Sequence, residues 1–200
     1  MQDCPQQPED ASATPANDVA FQRSYEDLAP ALHAWAELRI RPEMRALVDP
    51  QDVVQEVWCR AWRQREKVGE GQDAFRPWVF RIAKNVLLEA FRKVRSPAYR
   101  AGSTGTTTRL LALEGVPDSI TAVSRRLARD EGMARLIEWL RELEEDERLL
   151  VAHVGLEGLP FAQVAERLGL SRDATAKRWQ RLRARVVEQG LARGFLAEPA

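Results

Sequence analysis

The sequence predicts an all-α fold: two small helical domains joined by a flexible linker. Three observations carry this prediction. Apolar residues recur at three- and four-residue spacing through most of the 200-residue chain, the period of a helix with one buried face. Strand signals are absent, because β-branched residues rarely alternate with polar ones. Residues 96–108 run Ser96-Pro97 and then Gly102-Ser103-Thr104-Gly105-Thr106-Thr107-Thr108, a composition that buries too little surface to order itself and divides the periodic stretches in two.

Residues 1–18 carry Pro5, Pro8 and Pro15, four acids and no Leu, Ile or Phe, with Val first appearing at 19. They are expected to form a disordered acidic tail. The first domain spans 19–95. Phe21, Tyr25, Leu28, Leu32 and Trp35 mark its first helix, ended by Pro42. Asp49-Pro50 predicts an N-cap followed by Pro at the first helical position. The helix it opens places Val53, Val54, Val57, Trp58, Ala61 and Trp62 on one broad face, opposite Asp52, Gln55, Glu56, Cys59 and Arg63. A loop from Lys67 to Ala74 leads to a third helix with an apolar stripe of Val79, Ile82, Ala83, Val86, Ala90 and Phe91. Arg81, Lys84, Asn85, Leu88, Arg92 and Arg95 lie on its other side.

A linker, 96–127, leads to the second domain, 128–190, and a C-terminal tail, 191–200. Leu136, Trp139, Leu140 and Leu143 define one helix; Leu149, Leu150, Val151 and Val154 define another, expected to stop at Gly155. From Pro160 to Thr175 the residues fit a helix-turn-helix. Val164 and Leu168 pack the first helix, and Ala165 is small where the helices cross. Gly169 supplies a positive φ, and Ser171 caps the second helix. That second helix is expected to bury Thr175, Trp179, Leu182 and Val186. It then presents Asp173, Lys177, Gln180 and Arg181, flanked by Arg172 and Arg178, as donors and acceptors suited to base edges in a major groove. The bland alternative is a helical hairpin with a solvated basic face.

Thirty basic and thirty acidic residues give a formal net charge of zero. Taken alone, that balance argues against a nucleic-acid binder. The distribution reverses the argument. Residues 76–100 and 167–193 each carry net +6, while 1–30 and 138–147 each carry net −5. Each basic block falls on one face of an expected helix, the arrangement a phosphate-tracking surface needs.

Other classes are excluded by what is scarce. Cys4 and Cys59 make no disulfide framework, and His33 and His153 no spaced metal or catalytic motif. Both histidines are expected to be structural. No cofactor or metal site is expected. No apolar run approaches the ~18 residues of a membrane span. With no signal-peptide pattern at the start, the expected setting is cytoplasmic, without a membrane partner. No paired carboxylate, phosphate loop or nucleophile elbow suggests an enzyme.

Two basic helices on tethered domains predict two DNA contacts, and the sequence here resembles a known family, the bacterial sigma-70 factors in their small extracytoplasmic-function (ECF) subgroup. Asp49 to Arg63 is similar to the family's Asp-x-x-Gln-Glu helix. Phe75-Arg76-Pro77-Trp78-Val79-Phe80-Arg81-Ile82-Ala83-Lys84-Asn85 is similar to the start of its promoter-melting helix, and Arg92-Lys93 to its basic end. Leu159 to Arg185 resembles region four. The likeness covers roughly residues 20–95 and 130–188. The recognition helix departs from the family pattern: Thr175 and Trp179 replace apolar core residues, and the lysine shifts by one position to Lys177. Pro160 stands where a Ser cap is common, and Glu89 where Asp is.

The resemblance implies a sigma factor, not an enzyme, in two helical domains (region 2 and region 4). Asp52, Gln55, Glu56 and Arg63 would dock on core RNA polymerase. Arg76, Trp78, Arg81, Lys84, Asn85, Arg92, Lys93 and Arg95 would bind the minus-ten element of promoter DNA, with the Lys67–Phe75 loop. Ser171, Arg172, Asp173, Lys177, Arg178, Gln180 and Arg181 would bind the minus-thirty-five element. It further implies a stress- or signal-responsive regulon and an anti-sigma factor as partner. Trp58 and Trp62 are expected in the core. Trp78, at its stripe's edge, is core or a base-stacking ring. Cys59, on the polar face, is expected to be partly exposed. The alternatives are a stand-alone helix-turn-helix regulator, or an enzyme with a DNA-binding appendage.

Overall fold

A computed structural model describes residues 15–68, 72–95, 130–190 and 196–197. The linker and most of both tails lie outside the described residues. Every regular element among those described is helical: α1 (Pro15–Arg39), α2 (Pro50–Arg63), α3 (Gln72–Arg95), α4 (Glu131–Glu142), α5 (Glu145–Leu150), α6 (Phe161–Leu168) and α7 (Arg172–Glu188). Helix α1 begins at Pro15, inside the stretch expected as tail. There Asp18 accepts from Arg65 Nε at 2.8 Å, which gives that first turn a tertiary anchor.

Helix α1 is the wall shared by both halves. From Leu28 to Ala36 its residues are buried almost all round, apart from Pro30. That pattern belongs to a helix covered on both sides. Helices α2 and α3 cover one side; α4 and the turn Val151–Leu156 that follows α5 cover the other. The buried apolar residues of both halves accordingly form one continuous core.

In the first half, the Tyr25 hydroxyl donates to the Val54 carbonyl at 2.6 Å and pins α1 to α2. Phe21 is the hub of an aromatic cluster. Its ring lies 5.4 to 6.4 Å from those of Phe75, Trp58, Trp62 and Trp78, mostly edge-on, the geometry aromatic quadrupoles favour. Asp49 caps α2 by accepting from Gln51 N–H at 2.7 Å, with Pro50 at the first position, as the sequence predicts.

Cys59 corrects an expectation. It is buried, not partly exposed. The buried arc of α2 is wider than its apolar stripe and takes in Glu56 and Cys59 as well. Burial, then the neighbouring Glu56, pushes the thiol pKa up, so this cysteine is a small core residue and not a reactive one.

In the second half, Gly169 ends α6 at φ 64°, and Ser171 Oγ accepts from Ala174 N–H at 3.1 Å to start α7. Thr175, Trp179, Leu182 and Val186 are the buried residues of α7. All of this matches the sequence-based expectation. The helix that α5 opens does not stop at Gly155. It runs on as a π-helical turn, Val151–Leu156, the kind of irregularity that re-aims the residues after it. Gly155 is required there by packing. A Cβ at that position would sit 2.5 Å from the Trp179 ring and 3.0 Å from the Leu196 side chain. Leu196 and Ala197 pack beside this turn, where Ala197 N–H donates to the Gly155 carbonyl at 2.7 Å.

Gly155→Ala therefore overpacks the second half. Overpacking costs about 1–3 kcal/mol, so the melting temperature followed by circular dichroism should fall by roughly 3–10 °C. An unchanged melting curve would contradict the close approach of Trp179.

Candidate nucleic-acid interface

The second basic block is presented outward. Burying Thr175, Trp179, Leu182 and Val186 turns the opposite side of α7 to solvent. Ser171, Arg172, Asp173, Lys177, Arg178, Gln180 and Arg181 are all exposed. The Arg181 Nε donates back to the Lys177 carbonyl at 3.4 Å. The acidic first turn of α5 reaches this flank: Asp146 lies 3.6 Å from Arg178, and Glu147 accepts from Arg185 at 2.7 Å. These are solvent-exposed pairs, individually worth little and readily exchanged for phosphate.

The first basic block is divided. Arg81, Asn85, Arg92, Lys93 and Arg95 are exposed along α3, with Leu88 among them. Arg76 and Lys84 instead face the second half. Arg76 donates to the Leu156 carbonyl at 2.6 Å, and burial lowers its pKa. Lys84 Nζ lies 2.6 Å from Glu157 Oε2. Trp78 is only 9% exposed, inside the Phe21 cluster, so the ring is part of the core in this conformation.

Glu157 is the residue that sequence reasoning missed. Its side chain has no exposure at all. Oε1 accepts from Trp35 Nε1 at 2.9 Å and from Arg39 at 3.2 Å; Oε2 accepts from Lys84 at 2.6 Å and from His153 Nδ1 at 3.2 Å. Burial alone would raise its pKa, but the hydrogen bonds from His153, Lys84 and Trp35 outweigh it and hold the carboxyl down to about 2. The group is thus charged at any ordinary pH. One signal was available. Glu157 is the lone acid in the run from Leu149 to Phe161, which is apolar apart from it and His153, and a buried acid demands partners. A second link joins the halves, from Arg141 to Glu37 at 3.1 Å, with Glu37 also held by Arg45 at 2.6 Å.

The third candidate set lies on α2. Asp52 and Gln55 are half-buried, Glu56 is buried and Arg63 is exposed. Arg60, not singled out from sequence, bridges Glu56 at 2.6 Å and Glu89 of α3 at 2.7 Å. It is an ion pair that fixes α2 against α3. Glu56 Oε2 is buried with no hydrogen-bond partner among the described residues. Burial, then the nearby Asp49, raises the pKa of Asp52 to about 6. The candidate docking face thus carries two carboxylates that the free chain accommodates poorly. Among the described residues no cluster of side chains fits a metal ion, and no helix is long and apolar enough to cross a membrane.

The sequence-predicted residues thus sort into an outward face on α7, a partly occupied stripe on α3 and a strained acidic face on α2. A family model for sigma-70 region 2 matches residues 24–96, which hold α2, α3 and most of α1. Over 187 residues, covering 91% of this chain and 98% of the relative, the chain is 26% identical to the ECF RNA polymerase sigma factor SigL of Mycobacterium tuberculosis. It is 29% identical to the RNA polymerase sigma factor NccH of Alcaligenes xylosoxydans over 70% of this chain and 72% of the relative. It is also 29% identical to the RNA polymerase sigma factor CnrH of Cupriavidus metallidurans over 69% and 71%. A sigma-70 region 2 thus occupies residues 24–96, and the chain is similar over most of its length to ECF RNA polymerase sigma factors, which supports a role in transcription initiation.

Proposed function

We propose that this chain docks on core RNA polymerase through Asp52, Gln55, Glu56 and Arg63 of α2, binds and melts the minus-ten element along α3, and reads the minus-thirty-five element with α7. The single observation that carries the reading is the sidedness of α7. Its four buried residues and its exposed Arg172, Asp173, Lys177, Arg178, Gln180 and Arg181 divide the helix between core and solvent, as a helix entering a major groove requires. Arg81, Asn85, Arg92, Lys93 and Arg95 would track the melted strand by charge. The chain acts in the cytoplasm on a stress- or signal-responsive set of promoters, and an anti-sigma factor restrains it.

Binding to core polymerase, followed by run-off transcription and sequencing of the bound promoters, tests this directly. Chain that never associates with core enzyme would end the reading. A stand-alone regulator would instead bind DNA without polymerase, and Gln55→Lys would leave its activity untouched. For a sigma factor, Gln55→Lys should abolish core binding. Arg178→Ala and Arg181→Ala should each weaken the minus-thirty-five duplex about tenfold or more, as lost base contacts of ~1–3 kcal/mol do, while core binding stays intact.

Asp52 separates docking from stability. Its folded pKa, about 6, lies above the ordinary 3.8. The stability it contributes is therefore complete below about 3.8 and lost as pH rises through about 6. Asp52→Asn should melt a few degrees higher than wild type at pH 7.5, and the gap should close as pH falls towards 4. The same variant should bind core polymerase more weakly. A variant both stabler and fully competent in core binding would remove Asp52 from the docking face.

A further inference from the structure

Three of the four donors in the pocket around Glu157 come from the first half of the chain; the fourth, His153, lies in the π-helical turn. Trp35 and Arg39 stand one turn apart on α1, and Lys84 faces them from α3. Together they aim an indole N–H, a guanidinium and an ammonium at one pair of oxygens. Charged donors converging on an oxyanion suit carboxylate and phosphate alike. The pocket is also not closed. Trp35, Arg39 and Lys84 lie in the wall of a cavity of about 910 Å³, whose lining also takes in Arg41, Glu43, Arg167 and, at the far end of α3, Arg95. A chain of cations thus leads from the Glu157 site along the basic stripe. The Glu157 carboxylate engages only Arg39 and Lys84 of these cations, and Glu43 is the one acid in the cavity lining itself.

We propose that Trp35, Arg39 and Lys84 form an oxyanion receptor for a backbone phosphate of promoter DNA, and that Glu157 is its internal occupant, a phosphate mimic that holds the receptor while the two halves are closed on each other. This rests on the sigma-factor reading above and adds to it two residues, Trp35 and Arg39, that lie outside the basic stripe of α3. It also assigns Glu157 a role. The carboxylate satisfies the receptor in the free chain and leaves it when the second half moves away. Phosphate then takes over the same donors, in line with Arg95. Arg76, tied to the Leu156 carbonyl one residue before Glu157, is released in the same movement. Closing and DNA binding therefore compete for one set of side chains.

The test uses the full chain and a fluorescent single-stranded 20-mer of random sequence, with anisotropy read across salt concentrations. Glu157→Gln removes the competing charge, so affinity should rise about tenfold. The salt dependence should steepen by about one to two charges, for Arg39 and Lys84 recovered as phosphate contacts. Adding Arg39→Gln to Glu157→Gln should remove most of that gain. Glu157→Asp, which keeps the charge but shortens its reach, should give an intermediate gain and serves if Glu157→Gln does not fold. Unchanged affinity and slope in the Glu157 variants would overturn the proposal. So would a gain that survives intact in the double variant, since the receptor would then contribute nothing. Run-off transcription with core polymerase separates the two levels. If wild type and Glu157→Gln both transcribe but the DNA gain is absent, the receptor is wrong and the sigma reading stands. If neither transcribes, the reading on which the receptor rests is wrong.

Discussion

The described structure turns on one buried carboxylate. Placing the charge of Glu157 out of water costs several kcal/mol unless it is fully paired. Four donors from α1, α3 and its own helix do the pairing. Because three of those donors belong to the first half, the charge is satisfied only while the halves are together. Loss of one partner of such a cluster typically costs about 3–5 kcal/mol, a large share of a domain's net stability. The apolar contacts of α1 with α4 and the π-helical turn add area to the closed state. Glu157 adds register. It directly follows the π-helical turn, which packs on Trp179 where Gly155 has no Cβ.

The zero net charge takes on a structural meaning from this arrangement. The acidic blocks do not merely cancel the basic ones in the sum. Residues of the 138–147 block pair across to Glu37 and α7: Arg141 with Glu37, Asp146 with Arg178, Glu147 with Arg185. The pairs on α7 are exposed and hold weakly, so that helix is available to a polyanion at little cost. The pairing at Lys84 is different in kind, since its acceptor is wholly buried. The two basic surfaces thus differ in readiness, although each carries the same net charge in the sequence.

The helix-turn-helix of the second half was legible in the sequence; the π-helical turn and Glu157 before it were not. Cap, positive-φ glycine and apolar positions of a helix-turn-helix are local signals, each fixed within a few residues, and Gly169, Ser171, Thr175 and Trp179 all fall where those signals put them. What was not legible is long-range. Lys84 looks like any other member of a basic stripe at 100° per residue, and nothing in its neighbourhood encodes a partner 73 residues away. Cys59 sits on the polar side of a helical wheel, and only tertiary packing shows it to be buried. Trp78 illustrates the limit most clearly. Its place at the edge of a stripe left core and base-stacking open, and the cluster around Phe21 resolves only its position in this conformation.

The proposed docking face on α2 has the opposite energetic character from the Glu157 cluster. There every oxygen is matched; here Glu56 Oε2 is buried without a partner among the described residues, and Asp52 is desolvated beside another acid. A free chain selected only for stability would replace both with neutral residues. Surfaces that must receive a charged partner retain such groups, because the cost borne in the free state is returned when the partner's cations arrive. Arg60 explains how the face survives the strain: it anchors the other oxygen of Glu56 and ties it to Glu89 on α3, leaving one oxygen held in place and unsatisfied. The two carboxyl sites thus divide the labour. One is filled from within and keeps the halves together, and the other is left short of partners on the face that would meet polymerase.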